Sequence, residues 1–145
     1  MNITLHPVTR ENYEAVCDLE VTEAQEDYIA SNTWSLVESA YNDGYTTRAI
    51  YMNDILVGFF MWVEESRNKI SIWRFMIDQK FQHKGIGRKA LTLALDEIKQ
   101  VQGIEIIEIC YDPENPVAND FYSKFGFVEI GMDEDDEDML AVISL

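Results

Sequence analysis

The stretch Ile70-Ser-Ile-Trp73-Arg-Phe75-Met-Ile77-Asp-Gln-Lys80-Phe-Gln82-His-Lys-Gly85-Ile-Gly87-Arg-Lys-Ala90-Leu-Thr-Leu-Ala-Leu95 reads in three pieces. Lys69–Ile77 is rich in the bulky and β-branched residues of a strand. Gln82–Gly87 carries two glycines. After it, Leu91, Leu95, Ile98 and Val101 recur at helical spacing, and Gly103 ends the pattern. Gly85 and Gly87 let the backbone turn tightly and bring its N–H groups close to a ligand. A helix start leaves unpaired N–H donors and a positive dipole end, which together suit a pyrophosphate. Lys84, Arg88 and Lys89 add charge. Gly-x-Gly ahead of a helix also occurs with no ligand, so the loop alone does not decide its use. It is not a dinucleotide fingerprint, because position 90 is Ala90, and no Gly-Lys-Ser/Thr of a nucleotide-triphosphate loop follows.

Working outward, Ile3–Val8 alternates as a strand, and Thr9 is a candidate cap for a helix over Glu11–Leu19. Helical stretches follow over Glu23–Ala30 and, capped by Ser31 or Asn32, over Thr33–Tyr41. Thr46–Met52 and Ile55–Val63 read as strands joined by an Asn53–Asp54 hairpin turn. Beyond the central stretch come a strand over Ile104–Cys110, a helix over Asn115–Phe125, and strands over Phe127–Gly131 and Met139–Leu145. The order β-α-α-β-β-β-α-β-α-β-β fits an α/β (α+β) fold, a mixed, mostly antiparallel sheet of about seven strands flanked by about four helices. Residues 1–145 read as a single domain. The acidic run Asp133–Asp138 reads as a solvated turn. Met139–Leu145 is a candidate sheet edge for pairing with a second copy in a homodimer.

Eleven basic residues against 27 acidic ones give a net charge of −16. That balance disfavours nucleic acid and anionic membrane surfaces as partners and attracts cations. No apolar run approaches the roughly 18 residues of a membrane span, and no signal peptide is expected at Met1–Thr9. The cysteines, Cys17 and Cys110, read as reduced thiols of a cytoplasmic protein. With two histidines and two scattered cysteines, no metal site is expected. Residues 11–47 hold nine carboxylates and no Lys or Arg, whereas five of the 11 basic residues fall within 74–89. An acidic chain with its positive charge concentrated at one loop is suited to an anionic ligand.

A second segment narrows that ligand. Asn115-Pro-Val-Ala118-Asn119-Asp-Phe121-Tyr122-Ser-Lys124-Phe125-Gly126-Phe127 follows the apolar strand. Together with Gln82-x-x-Gly85-x-Gly87 it resembles the two-part signature of the GNAT superfamily of acyl-CoA N-acyltransferases. The resemblance implies that acetyl-CoA lies in a gap where the strand before the loop splays from the strand after the helix. It implies that the pantetheine arm pairs with the backbone of Phe75, Met76 and Ile77. The pyrophosphate would take N–H donors from Gln82, His83, Lys84, Gly85, Ile86, Gly87 and Arg88. Asn115 would bond the cofactor arm, Asn119 and Lys124 would approach the nucleotide end, and Tyr122 would give a proton to the departing thiolate.

The acceptor amine must lose a proton to attack. Many members of the superfamily place a glutamate on the strand before the loop, whereas Lys69–Ile77 has no carboxylate. Glu64 and Glu65, at the end of the previous strand, are the candidate bases through water. Gln25–Asn32, Ser35 and Trp73–Asp78 resemble bacterial spermine/spermidine acetyltransferases. A polyamine is a flexible chain of ammonium groups, suited to spaced carboxylates and aromatic faces. Glu23, Glu26, Asp27, Tyr28, Trp34 and Glu38 offer both, though charge runs also occur simply as solvated helix faces. The leading expectation is an acetyl-CoA-dependent polyamine N-acetyltransferase. Acetylation of a protein or peptide amine, and a non-catalytic acyl-CoA sensor, are the alternatives.

Overall fold

A computed structural model describes all residues 1–145. The strands are β1 (Ile3–Pro7), β2 (Tyr45–Met52), β3 (Ile55–Glu64), β4 (Lys69–Ile77), β5 (Ile106–Tyr111), β6 (Val128–Met132) and β7 (Met139–Ser144). The helices are α1 (Tyr13–Asp18), α2 (Asn32–Ala40), α3 (Ile86–Lys99) and α4 (Ala118–Ser123). All seven strands join one sheet in the order β1-β2-β3-β4-β5-β7-β6. Pairing is antiparallel except between β4 and β5. This is the expected mixed α/β architecture.

Helices cover both faces of the sheet, so β3 buries every residue from Val57 to Val63 rather than alternating with water. Phe60 and Trp62 point into the larger cluster with Leu91, Leu95 and Ile98 of α3. Phe59 and Met61 point the other way, onto Val16 of α1. The Ser31 hydroxyl caps α2 by accepting from the Trp34 N–H at 3.1 Å.

Two irregularities open the middle of the sheet. Trp62 pairs with Ile72 and Met61 with Arg74, so Trp73 is an extra residue, a bulge in β4. The parallel ladder between β4 and β5 runs only from Lys69↔Ile106 to Ile72↔Ile109. Beyond the bulge, Trp73–Ile77 has no β5 partner, and the two strands part. Below the split, the Glu108 carboxylate of β5 accepts from Lys69 at 3.3 Å and from the Ser71 hydroxyl at 3.4 Å.

Several boundaries differ from the sequence reading. Glu23–Ala30 holds only a 3-10 turn, Glu23–Gln25, before irregular turns. Its capping box is closed within three residues, because the Gln25 side chain accepts from the Thr22 N–H. Thr9 opens a turn ahead of α1, whose cap position is Asn12. Asn115 and Pro116 belong to a turn, and α4 begins only at Ala118. Helix α3 ends at Lys99, leaving Val101 outside it and exposed. The C-terminal strand β7 is not an edge: it lies between β5 and β6, which leaves β1 and β6 as the free edges. No helix is long and apolar enough to cross a membrane.

Gly58 marks the closest approach in the sheet. A Cβ there would stand 2.5 Å from the Met76 carbonyl oxygen and 2.9 Å from Ile50 Cδ1. Backbone cannot yield as a flexible side chain does. Gly58→Ala is therefore expected to lower stability by about 1–3 kcal/mol in urea denaturation, and an unchanged midpoint would contradict this packing.

Candidate active site at the split in the sheet

The loop after β4 is held by its own first residue. Gln82 Nε2 donates to the Ile77 carbonyl at 2.9 Å and to Gln25 Oε1 at 2.8 Å. The Gln82 side chain thus braces the loop against the Glu23–Gln25 turn instead of facing a ligand. The chain then passes through two left-handed residues, His83 at φ 63° and Gly85 at φ 79°. Gly85 is the residue before α3, and that conformation favours glycine there.

The consequence is a run of unsatisfied donors. None of the backbone N–H groups from Gln82 through Arg88 donates to a protein acceptor. Buried or half-buried N–H groups seldom go without a partner, and here the helix dipole adds positive potential at the same place. A Cβ on Gly87 would lie 3.6 Å from Phe75 Cζ and 3.8 Å from Ile77 Cγ1 and Phe121 Cζ. Those are ordinary contacts, so the protein tolerates a side chain there. What the missing side chain preserves is space in the adjoining cavity. Lys80, Lys84, Arg88 and Lys89 form no ion pair, although the chain carries 27 carboxylates.

That cavity, about 360 Å³, lies in the split. Of the residues expected at the donor, Phe75, Met76, Ile77, Gln82, His83, Gly85, Ile86, Gly87, Arg88, Asn115 and Tyr122 line it. Lys84 does not, and its ammonium sits 5.9 Å from the Phe81 ring. Asn119 and Lys124 are also outside: Asn119 Nδ2 donates to Glu129, and Lys124 pairs with Asp120 at 3.3 Å. Asn119 is thus turned toward β6 and Lys124 back along its own helix, directions that sequence spacing does not give.

A second cavity of about 280 Å³ adjoins the first. The two share Ile29, Phe75, Asn115 and Tyr122, so Tyr122 stands at their junction. Its ring stacks on Tyr111 at 5.6 Å and meets Phe121 and Phe127 edge-on. Its hydroxyl has no hydrogen-bond partner in the protein. Burial pushes the phenol well above its ordinary range, with smaller contributions from Cys110 and Tyr111. Cys110 lines the second cavity rather than the core, and burial, followed by the Asp138 carboxylate, pushes its thiol up to about 12.

The expected acceptor residues divide. Tyr28 lines the second cavity and Glu26 a third, which also contains Ile29. Glu23 and Asp27 line none of these three cavities, and Trp34 is 61% exposed on α2. Glu38 is engaged with Arg74 at 3.3 Å. The proposed bases fare no better. Glu65 is tied to Lys69 at 3.1 Å and accepts from Trp73 Nε1, while Glu64 is exposed at the strand end, outside both cavities of the split. The sequence reading missed Asp112 and Asp138, which line the second cavity together with Trp73, Arg74 and Tyr111.

Comparison with known proteins agrees with this geometry. The pattern described as Acetyltransferase (GNAT) family matches residues 11–127. A Bacillus subtilis protein named spermine/spermidine N(1)-acetyltransferase is 30% identical over 134 residues, 88% of each chain. Among solved structures, spermidine N-acetyltransferase from Vibrio cholerae, in complex with CoA and spermine, superposes with a TM-score of 0.79 at 19% identity, covering 98% of this chain and 95% of that one. Arabidopsis thaliana Naa50, in complex with the bisubstrate analogue CoA-Ac-MVNAL, superposes at 0.72 with 20% identity over the whole of both chains. The split sheet, the open run of N–H donors and the tyrosine at the cavity junction therefore sit in a chain that belongs to the acetyltransferase (GNAT) family.

Proposed function

We propose that this chain transfers the acetyl group of acetyl-CoA to a primary amine of a polyamine, by direct attack with both substrates bound. The carrying observation is the pair of cavities meeting at Tyr122. One is faced by unpaired N–H groups and the cationic loop, the other by carboxylates and the aromatic rings of Tyr28, Trp73 and Tyr111. An anionic donor suits the first and a chain of ammonium groups the second. The name of the B. subtilis relative points to the same acceptor class.

In this reading the pyrophosphate accepts from the N–H groups of Gln82–Arg88, and Gly87 admits it. The unpaired edge of Trp73–Ile77 holds the pantetheine arm, which brings the thioester to Tyr122. The amine enters from the second cavity. Neither cysteine serves as a nucleophile: the Cys110 thiol, pushed up to about 12, is not ionised at neutral pH. Both cysteines are free thiols, in keeping with a reducing cytoplasm.

A peptide amine is the second reading. The observation favouring it is Arg74, which lines the acceptor cavity with a buried Nε that donates to no protein group. Such a donor suits a peptide carbonyl better than an ammonium group. CoA release with spermidine, with a short peptide and with no acceptor separates the readings. Rapid release with spermidine supports the polyamine, release only with the peptide overturns it, and no release across a broad amine panel favours a sensor.

A further inference from the structure

The reaction needs a group to take the amine's proton, and β4 supplies no carboxylate. Most carboxylates near the split are already committed. Glu38 holds Arg74, Glu65 holds Lys69, and Glu108 holds Lys69 and Ser71. Asp78 accepts from the Glu20 and Lys80 N–H groups at 2.9 and 3.0 Å. Two carboxylates line the acceptor cavity, and one of them, Asp112, accepts from the Glu114 N–H at 2.9 Å. Asp138 is left. Only its backbone is bonded, to Asp133, and its carboxylate has no partner in the protein.

Strand register explains how a residue from an acidic surface run reaches the cavity. Tyr111 pairs with Met139, so the next residues outward, Asp112 and Asp138, face each other at the mouth of the β5–β7 ladder. Asp138 is half-buried there, while its neighbours Glu134–Glu137 are exposed. Cys110, two positions further in along β5, is influenced by Asp138 and in turn influences Tyr122.

We propose that Asp138 is the proton acceptor for the attacking amine in this chain, on the side of the thioester opposite Tyr122. This rests on the acetyltransferase reading above. The reacting ammonium group first releases one proton to solvent. The neutral nitrogen then forms the C–N bond to the thioester carbonyl carbon, and the positive charge it gains makes its remaining N–H acidic. Asp138 takes that proton directly or through one water. The C–S bond breaks, and the departing sulfur takes the Tyr122 proton. An amide and a free thiol result, and Asp138 and Tyr122 return to their starting states through solvent.

The charge around Asp138 suits this task. Burial raises its pKa, Asp133, Asp112 and Glu137 raise it further, and Arg74 opposes them. The neutral Cys110 thiol and the Tyr28, Tyr111 and Tyr122 phenols complete its surroundings. A carboxylate lifted above the ordinary aspartate range is a stronger base near neutral pH. It must be ionised to act, so kcat/KM falls as pH falls through its pKa. Removing the Asp112 charge lowers that pKa and moves the limb to lower pH.

The test is the pH profile of wild type, Asp138→Asn, Asp138→Glu and Asp112→Asn with spermidine, alongside calorimetric acetyl-CoA binding. Asp138→Asn should lower kcat by roughly 10²-fold or more and erase the Asp138 limb, with acetyl-CoA affinity unchanged. Asp138→Glu should restore part of the rate, and Asp112→Asn should shift the limb downward. An active wild type whose Asp138→Asn variant keeps kcat and the limb overturns this assignment alone. So does a loss confined to KM, which would make Asp138 an ammonium anchor. A wild type idle with every amine overturns the acetyltransferase reading itself.

Discussion

Tyr122→Phe is expected to lower kcat by roughly 10²- to 10⁴-fold while acetyl-CoA affinity stays within a factor of about three. The substitution removes one oxygen and leaves the ring. The stack on Tyr111 and the edge contacts to Phe121 and Phe127 survive. No protein group depends on the Tyr122 hydroxyl, so its removal strands no buried partner, and stability should not change. In the proposed reaction, what is lost is the proton donor for the departing sulfur. An ordinary thiol, with a pKa of about 8.5, would not take a proton from a phenol near 10. Burial raises the Tyr122 phenol as well as the Cys110 thiol beside it, so the cavity does not reverse that order. What the phenol supplies is a hydrogen bond to the sulfur as negative charge develops on it, with the proton following as the C–S bond breaks. The raised phenol also stays protonated across the working pH range. Turnover unchanged in the phenylalanine variant would remove Tyr122 from the chemistry.

Gly87→Val is expected to weaken acetyl-CoA binding by roughly 10²- to 10⁴-fold while leaving the fold intact. A Cβ at position 87 makes only ordinary contacts with Phe75, Ile77 and Phe121, so the protein itself accepts it. The added methyl groups extend into the cavity where the N–H groups of Ile86, Gly87 and Arg88 converge. Charge-assisted hydrogen bonds are worth about 1.5–3 kcal/mol each. Losing two of them corresponds to a Kd increase of roughly 10²- to 10⁴-fold. Calorimetry measures the affinity, and thermal denaturation checks the fold. A folded variant that binds acetyl-CoA normally would show that the ligand does not approach this turn.

The loop Gln82–Gly87 and the cavity it lines were legible in the sequence because backbone geometry there is dictated by residue type. Gly85 adopts a left-handed conformation, Gly87 keeps space open, and the apolar face of α3 fixes where its N-terminus points. The acceptor half was not. Glu23–Ala30 has helix-forming composition, but Gln25 is drawn off by Gln82, and Tyr28, Ile29 and Ala30 turn into the cavities. A tertiary contact there overrides local preference.

Strand order was equally hidden. The near-continuous apolar run of β7, with Ala141 buried, tells that its faces are covered but not which strands pair along its edges. The five exposed residues of β6, interrupted by Gly131, are the pattern of an edge. Placing β7 inside the sheet is what brings Asp138 opposite Asp112. A run of six acids reads as uniformly solvated until that register is known.

The proposed cleft holds an anionic donor at one end and a polycationic acceptor at the other. Its most direct test is kcat/KM at saturating acetyl-CoA across a monoamine, a diamine, spermidine, spermine and a neutral peptide, at low and moderate salt. For such a cleft kcat/KM should rise with the number of ammonium groups, and the rise should shrink as salt screens the carboxylates. A flat series, or a maximum at the neutral peptide, would contradict it.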